Sequence, residues 1–390
     1  MSSGERTVDR YDLILRGGEV VDPSQWLRGR RDVGVRYGRI AALERDLSNV
    51  QADIVLDVTG AIVTSGLVDP HAHVYTGVCP LVVPADEVCS TSGVTTIVDA
   101  GSAGCHSFPG FRQFIVNQQR TRVYGYVHIS SLGLVGHPVG EMLNLAHANV
   151  EQAARMAVEH RDVCLGIKVR QSDNIVGANG LEPLRLALRA AELAGCPVMV
   201  HIGATPAPLR EIIDLLRPGD VITHCFTGRG NGIVGEDGRL LPECWEARRR
   251  GIIFDVGHGY LSHSFDVARA AIESGFLPDT ISTDLHSMSV NGPVFDMPTT
   301  MSKFLNLGLT LEEVIERSTI NPARVINREE KLGTLQVGAP ADVAVLRLEE
   351  GAFEFQDSER QRLAGTKRLV AVHTVRGGRL WGRPFRHPNW

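Results

Sequence analysis

The apolar positions of this chain change their period twice. Over the first 60 residues, "YDLILRGGEVV", "RRDVGVRYGRIAAL" and "ADIVLDVTGAIV" alternate apolar with polar between glycine or charged turns, the two-residue period of half-buried strands. The last 60 residues return to it in "ADVAVLRL", "GAFEFQD" and "RLVAVHTVRGGRLW". Between these flanks, short apolar runs take turns with segments whose apolar residues recur at helical spacing. Examples are "EPLRLALRAAELAG" (182 to 195) and "SFDVARAAIESGF" (264 to 276), each with a glycine near its last turn. Eight runs are counted: "GLVDPHAHVY", "GVTTIVDAG", "TRVYGYVHI", "VCLGIKVR", "CPVMVHIG", "DVITHCFTG", "GIIFDVGHG" and "TISTDLHS". Strands alternating with helices predict a parallel sheet, and eight such units over about 250 residues match the size of a (β/α)8 barrel. The expectation is an α/β chain: a TIM barrel over residues 63–329, with a small β-sandwich domain built from residues 1–62 and 330–390.

Composition narrows the function classes. The chain has 390 residues, 43% hydrophobic and 22% charged, enough to bury a large core. Net charge is -5 with both signs interspersed, so no basic stripe argues for nucleic acid or anionic membrane. The expected partner is a small molecule. Seven cysteines, an odd number without a CxxC pair, read as reduced and mostly buried. The opening "MSSGERTVDRYDLILRGGEVVD" offers no apolar core of a signal peptide, and no window approaches about 18 uninterrupted apolar residues. A soluble, cytoplasmic protein is expected.

The candidate chemistry starts at "GLVDPHAHVYTG". In an extended segment i and i+2 share a face, so His71 and His73 project together. Alone, an HxH motif among 14 histidines is weak. Its significance comes from the other runs: Lys168 ends run 4, His201 run 5, His224 run 6 and Asp284 run 8. In a closed barrel those ends share one mouth, where active sites of this fold lie. Imidazoles and carboxylates suit divalent ions, and a two-metal hydrolytic site needs a bridging anion between ions about 3.5–4 Å apart. Lys168 is the odd member, because an ammonium repels metal. Among Leu165, Ile167 and Val169, desolvation favours the neutral amine, which can add carbon dioxide and become a carbamate, in effect a long carboxylate.

With these residues in place, the chain resembles the amidohydrolase superfamily, in its binuclear carboxylated-lysine subtype. The resemblance covers essentially the whole chain. It rests on "GLVDPHAH", the lysine of "GIKVR", the histidines of "VMVHIG" and "VITHCFTG", the aspartate of "STDLH", and "NPARVINREEKLGTLQVGAPADVAVL" at the return into the β domain. It implies that His71, His73 and Asp284 hold one metal, that His201 and His224 hold the other, and that Lys168 bridges as a carbamate. Zinc comes first among Zn, Mn, Fe and Co. It also implies a homo-oligomer.

Within the superfamily the chain looks closest to the amidohydrolase/deacetylase group, by "GHGYLSHSF" after run 7 and "PVFDMPTTMSKFL" after run 8. It departs from the related dihydroorotases, where arginine follows the second histidine by two residues; here that residue is Tyr75. Another cation must then receive a substrate carboxylate. Arg170, two positions past Lys168, is the first candidate, with the alternative of a salt bridge to a loop acid such as Asp173. His258, flanked by glycines, and Tyr75 are further substrate-binding candidates, and His286 is a residue behind Asp284. The expected reaction is hydrolysis by a metal-bridging hydroxide, with Asp284 as the general acid-base. By analogy with related deacetylases, the substrate is a small acylated acid, an N-acyl D-amino acid or an O-acyl α-hydroxy acid. A cyclic amidase acting on dihydroorotate-like or hydantoin-like rings is the alternative, and a non-catalytic scaffold the remote one.

Overall fold

The computed structural model describes residues 10–382; the outermost residues of the expected end-to-end β domain, 1–9 and 383–390, lie outside that range. Two sheets carry the chain. The first holds β1 (Tyr11–Asp22), β2 (Leu27–Arg36), β3 (Arg39–Glu44), β4 (Ala52–Asp57) and β5 (Ile62–Ser65). The second is parallel and consists of β6 (Leu67–Ala72), β7 (Val94–Asp99), β8 (Arg122–His128), β9 (Cys164–Arg170), β10 (Val198–His201), β11 (Val221–Thr223) and β12 (Ile253–Asp255), paired in chain order. The chain then returns to the first sheet as β13 (Val343–Gln356), β14 (Arg362–Arg376) and β15 (Arg379–Trp381).

The first sheet differs from the expected sandwich in being hydrogen-bonded throughout as one unit, in the order β15-β14-β13-β5-β1-β2-β3, with β4 branching from β1. The cause lies in β1. Its register with β2 shifts between Leu15 and Gly18, and Gly17 has φ +81°, a left-handed conformation that favours glycine. Before that bulge β1 pairs with β4, from Tyr11↔Ala52 to Arg16↔Asp57; after it, Glu19 and Val20 pair with Ile62 and Val63 of β5. One bent strand therefore serves two neighbours, and separate apolar clusters form around Val20, Val35 and Val63 and around Ile14 and Ala42.

The second sheet follows the apolar runs, with one exception. Runs 1 to 7 become β6 to β12, whereas run 8 forms no regular strand among the described residues. Segment 280–285 instead makes single parallel bridges, Thr280 with Asp255 beyond one edge and Leu285 with Ala72 beyond the other. A continuous ladder is interrupted because Asp284 has φ +47°. The segment is fastened by side chains too: Thr280 and Ser282 donate to Asp255, and Thr283 to Asp69.

Helices pack outside the parallel sheet. Helix Glu182–Ala194 ends at Gly195 in the left-handed conformation, and helix Phe265–Glu273 presents Phe265, Ala268 and Ala271 to the interior. The largest apolar cluster joins them to the strands through Ile167, Val200, Ile222 and Phe254. All seven cysteines are free and all but Cys196 are buried. No helix among the described residues is long and apolar enough to cross a membrane.

Candidate active site

His71 comes from β6 and His73 directly follows that strand; Lys168 comes from β9, His201 from β10, His224 from the residue after β11, and Asp284 from segment 280–285. The structure brings them together. Asp284 Oδ1 lies 3.4 Å from Nε2 of both His71 and His73, and Lys168 Nζ lies 3.5 Å from His71 Nε2. The ring centroids of His71 and His224 are 5.0 Å apart, and those of His201 and His224 4.1 Å. Ligand atoms of His71, His224 and Asp284 all fall within 4.8 Å of one another. That trio crosses the division of ligands into two sets that the resemblance implies.

Proton placement on two of the imidazoles follows from their outer partners. Thr223 has one hydroxyl hydrogen, which goes to Asp255 Oδ2 at 2.7 Å. Its oxygen, 2.7 Å from His71 Nδ1, must therefore accept from that ring. His71 Nε2 is left as a bare lone pair facing Asp284 and Lys168. His224 Nδ1 lies 2.6 Å from the carbonyl oxygen of Gly257, which can only accept. His224 Nε2 is then also a lone pair, and it is buried without a hydrogen-bond partner. A buried, unpartnered acceptor is costly unless something electrophilic meets it. Outer partners that fix a ring in this way are the usual companions of metal-ligating histidines.

Electrostatics point the same way. Burial, then the neighbouring Lys168, holds His71 well below the ordinary imidazole range. Burial also brings His224 down to about 4, and burial followed by His224 lowers His201. All three rings are neutral, as ligands must be. Burial works against ionisation of Asp284, but the hydrogen bond with His73 and the surrounding imidazoles outweigh it, so the carboxyl falls below its usual range. Lys168, 1% exposed, is pushed down to about 7, chiefly by burial.

His73, Lys168, His201, Asp284 and His286 form the floor of a cavity open to solvent. Arg170, Ser172, Asn174 and Arg229 also line it, together with Tyr260 and the apolar Leu81, Leu134, Leu261 and Met288. The expected salt bridge of Arg170 to Asp173 is replaced by one to Glu141, 3.4 Å away. Burial disfavours the Glu141 carboxylate, yet Arg170 and the hydrogen bond with His128 lower it to about 2.

Two substrate-binding candidates stand elsewhere. Tyr75 is buried against Phe111 and donates its hydroxyl to the Ser107 carbonyl. His258 is fully buried, 2.8 Å from Lys303 Nζ through Nε2, and stacked on His263. The glycines beside it make room for protein. A Cβ on Gly259 would sit 2.4 Å from Asp284 Oδ2, and one on Gly257 2.8 Å from His224 Nδ1.

Thr223, Asp255, Glu141 and Arg229 join the site beside the residues expected from the sequence. Asp255 carried a usable signal, since it ends run 7 as Asp284 ends run 8. Glu141 carried none, being a loop residue 29 positions from its partner.

The chain is similar to known proteins over most of its length. The model of the Amidohydrolase family matches residues 62–379. A deacetylase from Agrobacterium fabrum is 39% identical over 322 residues, 82% of this chain and 79% of that protein. A deacetylase from Enterococcus faecalis is 32% identical over 374 residues, 95% of this chain and 99% of that protein. The crystal structure of a dihydroorotase superposes with a TM-score of 0.87 at 34% identity, covering 95% of this chain and 97% of that one.

Proposed function

The chain belongs to the amidohydrolase family and is a hydrolase, and from that we propose that it deacylates a small acylated acid, either an N-acyl D-amino acid or an O-acyl α-hydroxy acid. The observation that carries this reading is the pair of proton-fixed imidazoles, His71 and His224, whose bare Nε2 atoms share one buried space with Asp284. Likeness to two deacetylases, and Tyr75 where dihydroorotases carry arginine, favour a linear acyl bond over a ring.

The donor set fits divalent metal. His71, His73, His201, His224 and Asp284 would hold two ions, zinc first, bridged by Lys168 as its carbamate. When bound, such ions supply a water of lowered pKa and polarise an acyl carbonyl. Asp284 takes the proton lost by the attacking water and delivers it to the leaving nitrogen or oxygen. The acyl C–N or C–O bond breaks, the water oxygen stays on the acyl carbon, and an amine or alcohol departs. Segment 280–285 occupies the place of an eighth strand in a closed barrel over residues 63–329, a reading supported by its bridges to β6 and β12. A cytoplasmic homo-oligomer acting on a free small molecule completes the proposal; the interspersed surface charge supports the last part.

Two tests follow. Rates over N-acetyl D-amino acids, O-acetyl α-hydroxy acids, dihydroorotate and hydantoins should show turnover of the linear compounds; turnover of rings alone would establish the cyclic amidase instead. Thr223→Val removes the hydroxyl that fixes His71 and should weaken metal binding roughly 10- to 100-fold, read by competition with a chromogenic chelator. Unchanged affinity would separate Thr223 from the metal.

A further inference from the structure

Resting on the deacylation reading, we infer that the substrate's carboxylate is received by Arg229, and that the acid half of the substrate carries an apolar group seated against Leu261 and Met288.

The two arginines of the cavity wall are electrostatically unlike. Arg170 already faces Glu141 through both carboxylate oxygens, at 3.4 and 3.5 Å, and that carboxylate is buried and ionised. The pair is close to neutral, and its attraction for an incoming anion falls to that of a dipole. Arg229 is exposed and makes no ion pair with any carboxylate among the described residues. Its backbone is nevertheless held on both sides. The Arg229 amide donates to Thr227 Oγ1, the Asn231 side chain donates to the Thr205 carbonyl at 2.7 Å, and Ile233 is fully buried. An unpaired guanidinium on an anchored segment offers a carboxylate a two-pronged partner.

The apolar part of the lining has a second unsatisfied property. Leu261 is 48% and Met288 46% exposed while both line the cavity, so apolar surface faces the place a ligand would fill. Exposure also orders the cavity by depth. Arg229, Leu261 and Met288 lie at the solvent end, whereas Lys168 and Asp284, the groups beside the bond to be broken, are buried. A substrate spanning the cavity therefore places its acyl carbonyl deep, and its carboxylate and the substituent beside it at the rim.

The test compares wild type, Arg229→Met, Arg170→Met and Leu261→Ser in two assays on metal-loaded protein. The first is hydrolysis of N-acetyl-D-phenylalanine, its carboxamide and N-acetylglycine. The second is calorimetric binding of phenylacetate, which has no bond to hydrolyse. Arg229→Met should raise KM for the acid about tenfold with kcat and the carboxamide little changed, and should weaken phenylacetate by a similar factor. Leu261→Ser should erode the preference for phenylalanine over glycine. Phenylacetate binding that survives Arg229→Met and is lost in Arg170→Met would overturn the assignment, as would no binding by wild type. Binding that depends on Arg229, without turnover of any acylated acid, would uphold the rim site and refute the deacylation reading.

Discussion

Asp284→Asn removes turnover, by roughly 10³-fold or more, and leaves the fold in place. The amide matches the carboxylate in shape, so the close approach of Gly259 and the cavity floor are preserved. What disappears is the carboxylate that faces His71 and His73 at 3.4 Å and that the proposed reaction uses as proton acceptor. Circular dichroism and thermal unfolding should match wild type while kcat collapses. Activity within about tenfold of wild type would transfer the proton-handling role to another group, and His286, on the same floor, would be the first to test.

The second large effect belongs to Lys168. Lys168→Ala should cost more than the roughly 100-fold that loss of an outer metal-site partner produces, because on the proposed reading it removes the bridging anion outright. Truncating Lys168 opens space beside His71 at the cavity, so formate or acetate should restore part of the activity. Intact mass in neutral buffer should show carbon dioxide on wild type and not on the variant. Restoration by chloride to the same degree, or an unmodified amine in fully active protein, would remove the carbamate.

Much of this arrangement is legible in the sequence because two periodicities and one geometric rule generate it. Alternation places the flanking strands, runs interleaved with helices place the parallel sheet, and residues that end such runs meet at one mouth. The structure accordingly gathers His71, His73, Lys168, His201, His224 and Asp284. What stayed hidden depends on partners without period. Arg170 reads as a free cation until Glu141 arrives from a loop. His258 reads as a substrate contact because glycines flank it, yet those glycines accommodate Asp284 and His224. Run 8 has the composition of a strand, but the left-handed backbone at Asp284 is a tertiary outcome.

The pairing of β5 with β13 joins residues 62–65 to residues 343–346. During synthesis the strands β1 to β5 leave the ribosome with one edge bare, and the whole parallel sheet must be made before β13 can cover it. Contacts of such long sequence separation form slowly and keep an unpaired edge available to neighbouring chains. Expression yield should therefore respond to translation rate and temperature, through the wait imposed on a sheet whose two halves are made first and last.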